Sequence, residues 1–176
     1  MIEVEDYDLS AWRLMHIGAQ PVPPSLIEKW KAVFPDQDYD TNYGLTEATG
    51  PGCVHLGLGN EHKVGAIGLP GYGWECRVVD GDLAPLPGGE TGELLVRGPG
   101  MMKEYYKNPE ETARTLVNGW LRTGDMARQD ESGFIWLVDR KKDLIISGGE
   151  NIFPVEIENH FMTHEHIQDV AVIGLP

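Results

Sequence analysis

Residues 139–158 read Asp-Arg-Lys-Lys-Asp-Leu-Ile-Ile-Ser-Gly-Gly-Glu-Asn-Ile-Phe-Pro-Val-Glu-Ile-Glu, and this stretch decides how the chain is divided. Charged residues stand directly before the apolar triplet at 144–146, which indicates a strand that leaves one compact unit and enters another. Gly148 and Gly149 allow a turn with positive φ or the close approach of a ligand. Pro154 fits the first turn of a helix, where its missing N–H costs nothing. The stretch therefore predicts a hinge followed by a functional loop.

The composition is that of a globular protein with a sizeable core. The chain has 176 residues, of which 41% are hydrophobic and 24% charged. Its apolar runs are too short for a transmembrane segment, and its N-terminus has no basic region followed by an apolar stretch. Cys53 and Cys76 have no metal-binding or redox spacing. These features predict a cytoplasmic location.

The charge balance disfavours nucleic acid as a partner. Twenty-eight acidic residues outnumber 14 basic ones, which gives a net charge of −14, whereas phosphate neutralisation needs a basic face. The main basic cluster, Arg140 to Lys142, is flanked by Asp139 and Asp143. Such a local cluster fits a small anionic ligand better than a polymer.

The first part of the chain has β-α-β character. Residues 12–17 and 39–43 have strand-like patterns, and residues 25–34 carry apolar side chains at a helical period. This order is typical of one edge of an α/β sheet. We expect residues 1–64 to form the end of a larger α/β subdomain.

From residue 65 to 138 the pattern changes to short β-like runs between Gly- and Pro-rich turns. The runs at 75–79, 92–97 and 134–138 predict a distorted antiparallel β-barrel subdomain, with a helix at 109–117 inside it.

A third pattern follows the hinge at residues 139–142. Residues 143–176 predict a hairpin around 147–151, a helix over 154–163 and a strand over 169–173, which together resemble the start of a small α+β domain. The predicted fold class is therefore mixed α/β and β, with three parts.

The segment Asn42-Tyr43-Gly44-Leu45-Thr46-Glu47 places ligand-binding side chains at the carboxyl end of a predicted strand, where α/β sheets bind ligands. Tyr43 can stack on a purine, and the glycine after it leaves room. Thr46 can donate to a phosphate oxygen, and Glu47 can bind Mg²⁺. The alternative interpretation is a strand end with ordinary polar surface residues.

The segment Arg122-Thr123-Gly124-Asp125 offers a second ligand-binding group. We interpret it as a Thr-Gly turn that fixes the carboxylate of Asp125, which can accept two hydrogen bonds from a ribose diol. Arg140 adds a guanidinium that can reach ribose and phosphate together. A plain turn without a ligand is the alternative.

In this order, these segments resemble the adenylate-forming superfamily, which contains acyl-CoA synthetases, luciferases and the adenylation domains of peptide synthetases. The matching segments extend over nearly the whole chain: Gly18-Ala19-Gln20-Pro21, Tyr43 to Glu47, Gly65-Ala66-Ile67-Gly68-Leu69-Pro70, Gly92-Glu93-Leu94, Trp120 to Asp125, and residues 139–158.

The resemblance implies a two-step reaction. A carboxylic acid reacts with ATP and Mg²⁺ to give an acyl-adenylate, and a thiol, usually coenzyme A, then displaces AMP. For the nucleotide base, the resemblance implies that Gly18, Ala19 and Gln20 line the adenine side and that Tyr43 stacks on the base. For the phosphates, it implies that Thr46 contacts the α-phosphate and that Glu47 binds Mg²⁺. Asp125 and Arg140 are implied to bind the ribose hydroxyls. The resemblance further places Lys142 at the pivot of the small domain and Gly148 and Gly149 in the pantetheine tunnel.

The hinge sequence also narrows the subfamily. Residues 147–152, Ser-Gly-Gly-Glu-Asn-Ile, resemble acyl- and aryl-CoA ligases more than peptide-synthetase domains. Residues 48–55 would border the acyl pocket, and their small and apolar character suits a fatty or aromatic acid. The expected partners are therefore such an acid and coenzyme A.

Two family features have no match in these 176 residues. They are the Gly-, Ser- and Thr-rich phosphate loop that ends in a Pro-Lys-Gly type sequence, and a lysine near the family's C-terminus. We therefore expect an internal fragment of an acyl-CoA ligase that is inactive alone and self-associates through its truncated edges. The alternatives are a parent enzyme that loads a carrier-protein thiol or oxygen, a non-catalytic nucleotide-binding or interaction module, and a fragment without a function of its own.

Overall fold

The chain begins with a β-α-β unit in a computed structural model that describes residues 6–18, 22–57 and 59–175. Strand β1 (Leu14–Ile17) pairs in parallel with β2 (Asp38–Leu45), and helix α1 (Pro24–Val33) connects them. A proline at the first helical position starts α1 without loss of a hydrogen bond. This unit confirms the predicted α/β sheet edge.

Two further strands complete this first sheet. Strand β3 (Gly50–Leu56) pairs antiparallel with β2, and β4 (Leu69–Pro70) pairs antiparallel with β3. Alternate residues of β2 are buried, as a strand with one face on the core requires. The sequence analysis missed β3, because its Gly-Pro-Gly start has the composition of a loop.

The middle of the chain forms a curled antiparallel sheet of five strands. They are β5 (Glu75–Val79), β6 (Thr91–Arg97), β7 (Leu116–Val117), β8 (Trp120–Gln129) and β9 (Ile135–Arg140). Strand β8 is central, since it pairs with β6, β7 and β9. This curled sheet confirms the predicted distorted barrel.

The helix predicted over 109–117 is shorter in the structure. Helix α2 (Pro109–Thr115) is capped by the Asn108 side chain, which accepts a hydrogen bond from the Glu111 N–H. Leu116 and Val117 leave the helix and pair with β8 instead, across a two-residue turn at Asn118 and Gly119 with φ values of 53° and 79°.

One core joins the two sheets. Leu94, Leu121 and Ile135 are fully buried in it. The backbone N–H of Ile67 donates to the Ile135 carbonyl at 2.8 Å, which links the ends of the sheets. Cys53 and Cys76, far apart in sequence, lie in this core with their Sγ atoms 3.4 Å apart as free thiols.

The last part of the chain contains a hairpin and a helix, as predicted. Strands β10 (Ile145–Ser147) and β11 (Glu150–Ile152) pair antiparallel, and helix α3 (Pro154–Phe161) follows. Gly148 and Gly149 form the turn with φ values of 62° and 89°. The predicted positive φ is confirmed, and a two-residue turn of this kind favours glycine.

The strand predicted over 169–173 was wrong. These residues pair with no strand in the described part of the chain. The N–H of Val172 donates instead to Oε1 of Glu158 in α3, at 2.8 Å. A β-branched apolar run becomes a strand only where a neighbouring strand supplies the ladder, and here the neighbour is a helix.

None of the helices in the described ranges is long and apolar enough to cross a bilayer.

Candidate functional site

The two sheets meet at a hydrogen bond between Tyr43 and Asp125. Tyr43 lies near the end of β2, and its hydroxyl donates to Asp125 Oδ2 at 2.5 Å. Each residue is only 9% exposed. The structure thus brings together two side chains that lie 82 residues apart in the sequence.

Asp125 lies inside β8, so the predicted Thr-Gly turn was wrong. The pairing of β6 with β8 runs from Leu95↔Arg122 to Glu93↔Met126, so that β8 carries extra residues in a bulge. Gly124 accommodates the bulge with a φ of 73°. A continuous strand forms because the residues on both sides of the bulge still find partners on β6.

Hydrogen bonds fix the direction of Asp125 within the bulge. The Asp125 N–H donates to Thr123 Oγ1 at 3.1 Å, and the Thr123 hydroxyl donates to the Leu94 carbonyl at 2.7 Å. The bulge therefore turns the carboxylate of Asp125 toward Tyr43.

Arg140 faces Asp125 from the adjacent strand. The two residues are directly paired between β8 and β9, with Arg140 Nε 3.3 Å from Asp125 Oδ1. The Arg140 side chain is 63% exposed, whereas that of Asp125 is 12% exposed. The arrangement is a buried carboxylate with an exposed guanidinium at its edge.

The protonation equilibria of this cluster follow from its burial. Burial raises the pKa of Asp125, although the hydrogen bond from Tyr43 and the charge of Arg140 oppose that shift. Burial also raises the pKa of Tyr43, and the neighbouring Asp125 carboxylate adds to the shift. Tyr43 is therefore held as a hydrogen-bond donor.

Thr46 and Glu47 follow directly after β2 in a short 3-10 turn, Thr46–Ala48. Thr46 is exposed and Glu47 is half-buried. Glu47 Oε1 accepts a hydrogen bond from the Tyr105 hydroxyl at 2.7 Å, and its backbone carbonyl accepts one from the Met102 N–H at 2.6 Å. Glu47 is thus fixed through both its backbone and its side chain.

Gly18 lies at the same edge of the first sheet as Tyr43. It follows β1, and a Cβ atom at this position would lie 3.2 Å from Oδ1 of Asn42, so the space beside β2 is tight. Ala19 and Gln20, the other residues predicted on the adenine side, lie outside the described residues.

Lys142, Gly148 and Gly149 are exposed. They follow β9 in the chain and are not part of the buried cluster of Tyr43 and Asp125. Lys142 belongs to the turn at 141–143 that follows β9, and Gly148 and Gly149 form the tip of the β10–β11 hairpin. The structure therefore divides the predicted site residues into a cluster at the meeting of the sheets and a hinge group.

Glu93 in β6 binds side chains of β8 and of the predicted hinge at residues 139–142. It is 5% exposed and accepts hydrogen bonds from Arg122 Nε at 3.0 Å, Arg122 Nη2 at 2.6 Å and Lys141 Nζ at 2.9 Å. Its burial disfavours the charge, but these hydrogen bonds outweigh burial and lower the pKa of Glu93.

Asp139 ties the hinge to the last helix. It is 7% exposed, and its Oδ2 accepts a hydrogen bond from the Val155 N–H at 3.1 Å, in the first turn of α3. A carboxylate at this place satisfies a free backbone donor and faces the positive end of the helix dipole. The last strand of the barrel thus caps the first helix after the hinge.

An open groove of about 310 Å³ lies beside the Thr46–Ala48 turn. Its walls include Ala48, Val54 and Trp74. His55, which was predicted near the acyl pocket, does not line it. His55 is 1% exposed, and its ring contacts the carbonyl oxygens of Ala66 and Asn60 at 2.9 and 3.3 Å.

Sequence reasoning missed three residues that organise this region: Glu93, Tyr105 and Asp139. Glu93 lay in a matched motif, but no local pattern connects it with a lysine 48 residues away. Tyr105 begins the segment Tyr105-Tyr106-Lys107-Asn108-Pro109, whose composition suggests packing and a turn rather than a contact with Glu47. Asp139 was recognised as a flanking charge, and its position 16 residues before Val155 gave no sign of a cap.

Comparison with known proteins identifies relatives across nearly the whole chain. The AMP-binding enzyme family matches residues 2–106. A feruloyl-CoA synthase of an Amycolatopsis species is 40% identical over 170 residues, which cover 96% of this chain and 34% of that protein. A long-chain-fatty-acid–CoA ligase of Escherichia coli O6:H1 is 40% identical over 178 residues, covering 99% of this chain and 31% of that protein.

Solved structures show the same fold. The o-succinylbenzoate-CoA synthetase of Bacillus subtilis, in complex with its acyl-adenylate intermediate, superposes with a TM-score of 0.85 at 32% identity. The match covers 93% of this chain and 33% of that one. The same synthetase has also been solved with ATP and a magnesium ion. The chain therefore spans about a third of the length of the proteins that it matches.

Proposed function

The chain belongs to the AMP-binding enzyme family, and from this premise we propose that it is part of an ATP-dependent acyl-CoA ligase. Such an enzyme converts a carboxylic acid to an acyl-adenylate and then to a thioester of coenzyme A. The feruloyl-CoA synthase, the fatty-acid–CoA ligase and the o-succinylbenzoate-CoA synthetase described above support this reaction class.

The observation that carries the proposal is the cluster of Tyr43, Asp125 and Arg140. Asp125 is held by Tyr43 through Oδ2, while Oδ1 faces the exposed guanidinium of Arg140 at 3.3 Å. A largely buried carboxylate with one oxygen beside an exposed guanidinium is suited to accept hydrogen bonds from a ribose diol. Arg140 would add a donor to the same sugar and to a phosphate.

The adenine base would lie between the ends of β1 and β2. Gly18 and the exposed Gly44 present no side chains there, so the base could approach the backbone closely. Tyr43 would offer its ring to the base, but with 9% of its surface exposed only one part of the ring is accessible. Ala19 and Gln20 would border the same space.

The phosphates would lie beside the turn that follows β2. Thr46 is exposed there and would donate to the α-phosphate, and the half-buried Glu47 carboxylate would contact Mg²⁺. A single carboxylate suits this ion, because Mg²⁺ is usually held by one or two carboxylates together with phosphates and water. When bound, the cation would neutralise phosphate charge.

The acid would bind in the groove of about 310 Å³ beside Ala48. Its walls of Val54, Trp74 and glycine backbone are suited to an apolar chain or an aromatic ring. We therefore propose a fatty or aromatic acid as the substrate class.

Thioester formation would involve the hinge group. We propose that Lys142 is the pivot on which residues 143–176 rotate, and that Gly148 and Gly149 then line the path of the pantetheine arm. Two adjacent glycines at an exposed hairpin tip support this role, because a ligand can contact their backbone. We also propose that the chain divides at residues 64, 138 and 142, and that it self-associates through the exposed edges of the first sheet and of residues 143–176.

Titration of AMP into the 176-residue chain tests the proposed nucleoside site. We expect Asp125→Ala to weaken AMP binding by about tenfold to a hundredfold, because charge-assisted hydrogen bonds to the ribose are lost. Asp82→Ala, which removes an exposed carboxylate of a distant turn, is the matched control and should bind as the unmodified chain does.

Equal AMP affinity of the Asp125→Ala variant and the unmodified chain would contradict the proposed nucleoside site.

A second assay measures pyrophosphate release with ATP, Mg²⁺ and a panel of fatty and aromatic acids. We expect little release from the isolated chain, because the 176 residues contain no phosphate loop of the Pro-Lys-Gly type. Assays of a longer chain with coenzyme A and with a carrier protein would distinguish the two thiol acceptors.

A further inference from the structure

One loop of the barrel subdomain holds Glu47 at two points. The Met102 N–H donates to the Glu47 carbonyl at 2.6 Å, and the Tyr105 hydroxyl donates to Glu47 Oε1 at 2.7 Å. The loop follows β6, so Glu47 is fixed by a segment that lies 58 residues further along the chain. A carboxylate on a short surface turn would otherwise sample several rotamers.

Tyr105 is itself fixed by the start of helix α2. Its backbone N–H donates to Thr112 Oγ1 at 3.0 Å, and the Thr112 hydroxyl donates to the Asn108 carbonyl at 2.8 Å. Asn108 also caps α2 through the Glu111 N–H. The phenol therefore reaches Glu47 from an anchored backbone.

The chemistry of this contact suits a metal ligand. A phenol is neutral and donates one hydrogen bond, so it orients the carboxylate without neutralising its charge. The bond engages Oε1, and a cation can take the second oxygen.

We propose that Tyr105 is a positioning residue that holds the Glu47 carboxylate in the orientation required by a divalent cation bound to ATP. The proposal rests on the proposed function, in which Glu47 contacts that cation. It assigns to the loop after β6 the task of preparing the metal ligand before the nucleotide binds. Preorganised ligands bind more tightly because less conformational entropy is lost on binding.

The test measures binding of Mn²⁺ with ATP to the 176-residue chain by electron paramagnetic resonance, with Mn²⁺ as the probe. We expect Tyr105→Phe, which removes only the hydroxyl, to weaken the binding of Mn²⁺ with ATP about threefold to tenfold. Binding of AMP without metal should be unchanged, because Tyr105 is not in the Tyr43 and Asp125 cluster. Tyr106→Phe is the matched control, since the Tyr106 side chain is 82% exposed.

The Glu47→Gln variant separates the two claims. If Glu47→Gln weakens Mn²⁺ binding and Tyr105→Phe does not, the positioning role of Tyr105 is overturned while the role of Glu47 stands. If Glu47→Gln has no effect, or the unmodified chain binds no Mn²⁺ with ATP, the proposed metal site itself is contradicted. An equal loss of metal-free AMP binding in Tyr105→Phe would also overturn the proposal, because it would indicate a general structural role.

Discussion

Tyr43 and Asp125 of the cluster at the meeting of the two sheets are buried, whereas the residues of the hinge group are exposed. In the cluster, Tyr43 and Asp125 are each 9% exposed and hydrogen bonded to one another across two sheets. In the hinge group, Lys142 and the hairpin tip at Gly148 and Gly149 are exposed. The difference means that the packing of both sheets holds Tyr43 and Asp125, whereas the exposed residues of the hinge group have no such packing around them.

Glu93 and Asp139 connect these two regions. Glu93 in β6 accepts a hydrogen bond from Lys141, the residue before the proposed pivot Lys142, and Asp139 caps helix α3. Substitutions at Glu93 and Asp139 therefore test how firmly each side of residues 139–142 is held.

Among the substitutions at Glu93, Glu75 and Asp139, Glu93→Gln in β6 should change the stability of the protein most. Glu93→Gln leaves Arg122 and Lys141 without their shared carboxylate, and we expect the free energy of unfolding to fall by about 2 kcal/mol in urea denaturation. The lowered pKa of Glu93 means that its contribution is present above the ordinary glutamate pKa and is lost as the pH falls through the lowered value.

A second ion pair in the same sheet provides the control for Glu93. Arg97 binds both carboxylate oxygens of Glu75, but their side chains are 43% and 56% exposed. Glu75→Gln should therefore leave the unfolding free energy unchanged within error, because solvent screens such pairs. An equal loss of unfolding free energy in Glu93→Gln and Glu75→Gln would show that the buried carboxylate of Glu93 stabilises the protein no more than a surface ion pair does.

Substitution of Asp139 should have a smaller effect on stability, confined to helix α3. Asp139→Ala removes the cap from the Val155 N–H, which should destabilise the start of α3 by about 1 kcal/mol. Hydrogen exchange of the α3 amides should then accelerate about fivefold, whereas the amides of β8 should exchange as before. Asp143→Ala, which removes an exposed carboxylate in the turn at 141–143, is the control. Equal acceleration in β8 would show that the helix and the barrel open as one unit.

The smallest effect concerns the pH dependence of nucleoside binding. Burial raises the pKa of Asp125 above its ordinary value of about 3.9, and the ribose needs the ionised form as acceptor. Affinity for adenosine, which has no phosphate to titrate, should thus fall a few-fold as the pH drops through the raised pKa. Isothermal titration calorimetry would measure this decline, and the Asp125→Asn variant should show a flat profile. A flat profile in the unmodified chain would argue against an ionised acceptor.

Much of the fold was predictable because it rests on local patterns. The apolar period of α1, the Gly148-Gly149 turn and Pro154 at the start of α3 each act within a few residues. The prediction was wrong for residues 169–173, where a strand-like run lies against Glu158 of a helix. A strand depends on its neighbour, which composition does not reveal.

The proximity of three of the predicted site residues is seen in the structure, whereas their roles stay predictions. Tyr43, Asp125 and Arg140 were recognised from motifs, and the structure brings them together. Their mutual hydrogen bond depends on how β2 and β8 meet, and the direction of Asp125 depends on a bulge opposite Leu94. Tyr105 and Glu93 act over 58 and 48 residues, and no local sequence signal marks such distant pairs.

The most direct test of the central claim is a titration of AMP followed by the backbone amide resonances of the chain. We predict that Gly44, Gly124, Asp125 and Arg140 shift as AMP binds, while Gly148 and Gly149 at the hairpin tip remain unchanged. Shifts at the hairpin tip, with none at Gly124 and Asp125, would contradict a preorganised nucleoside site between the two sheets.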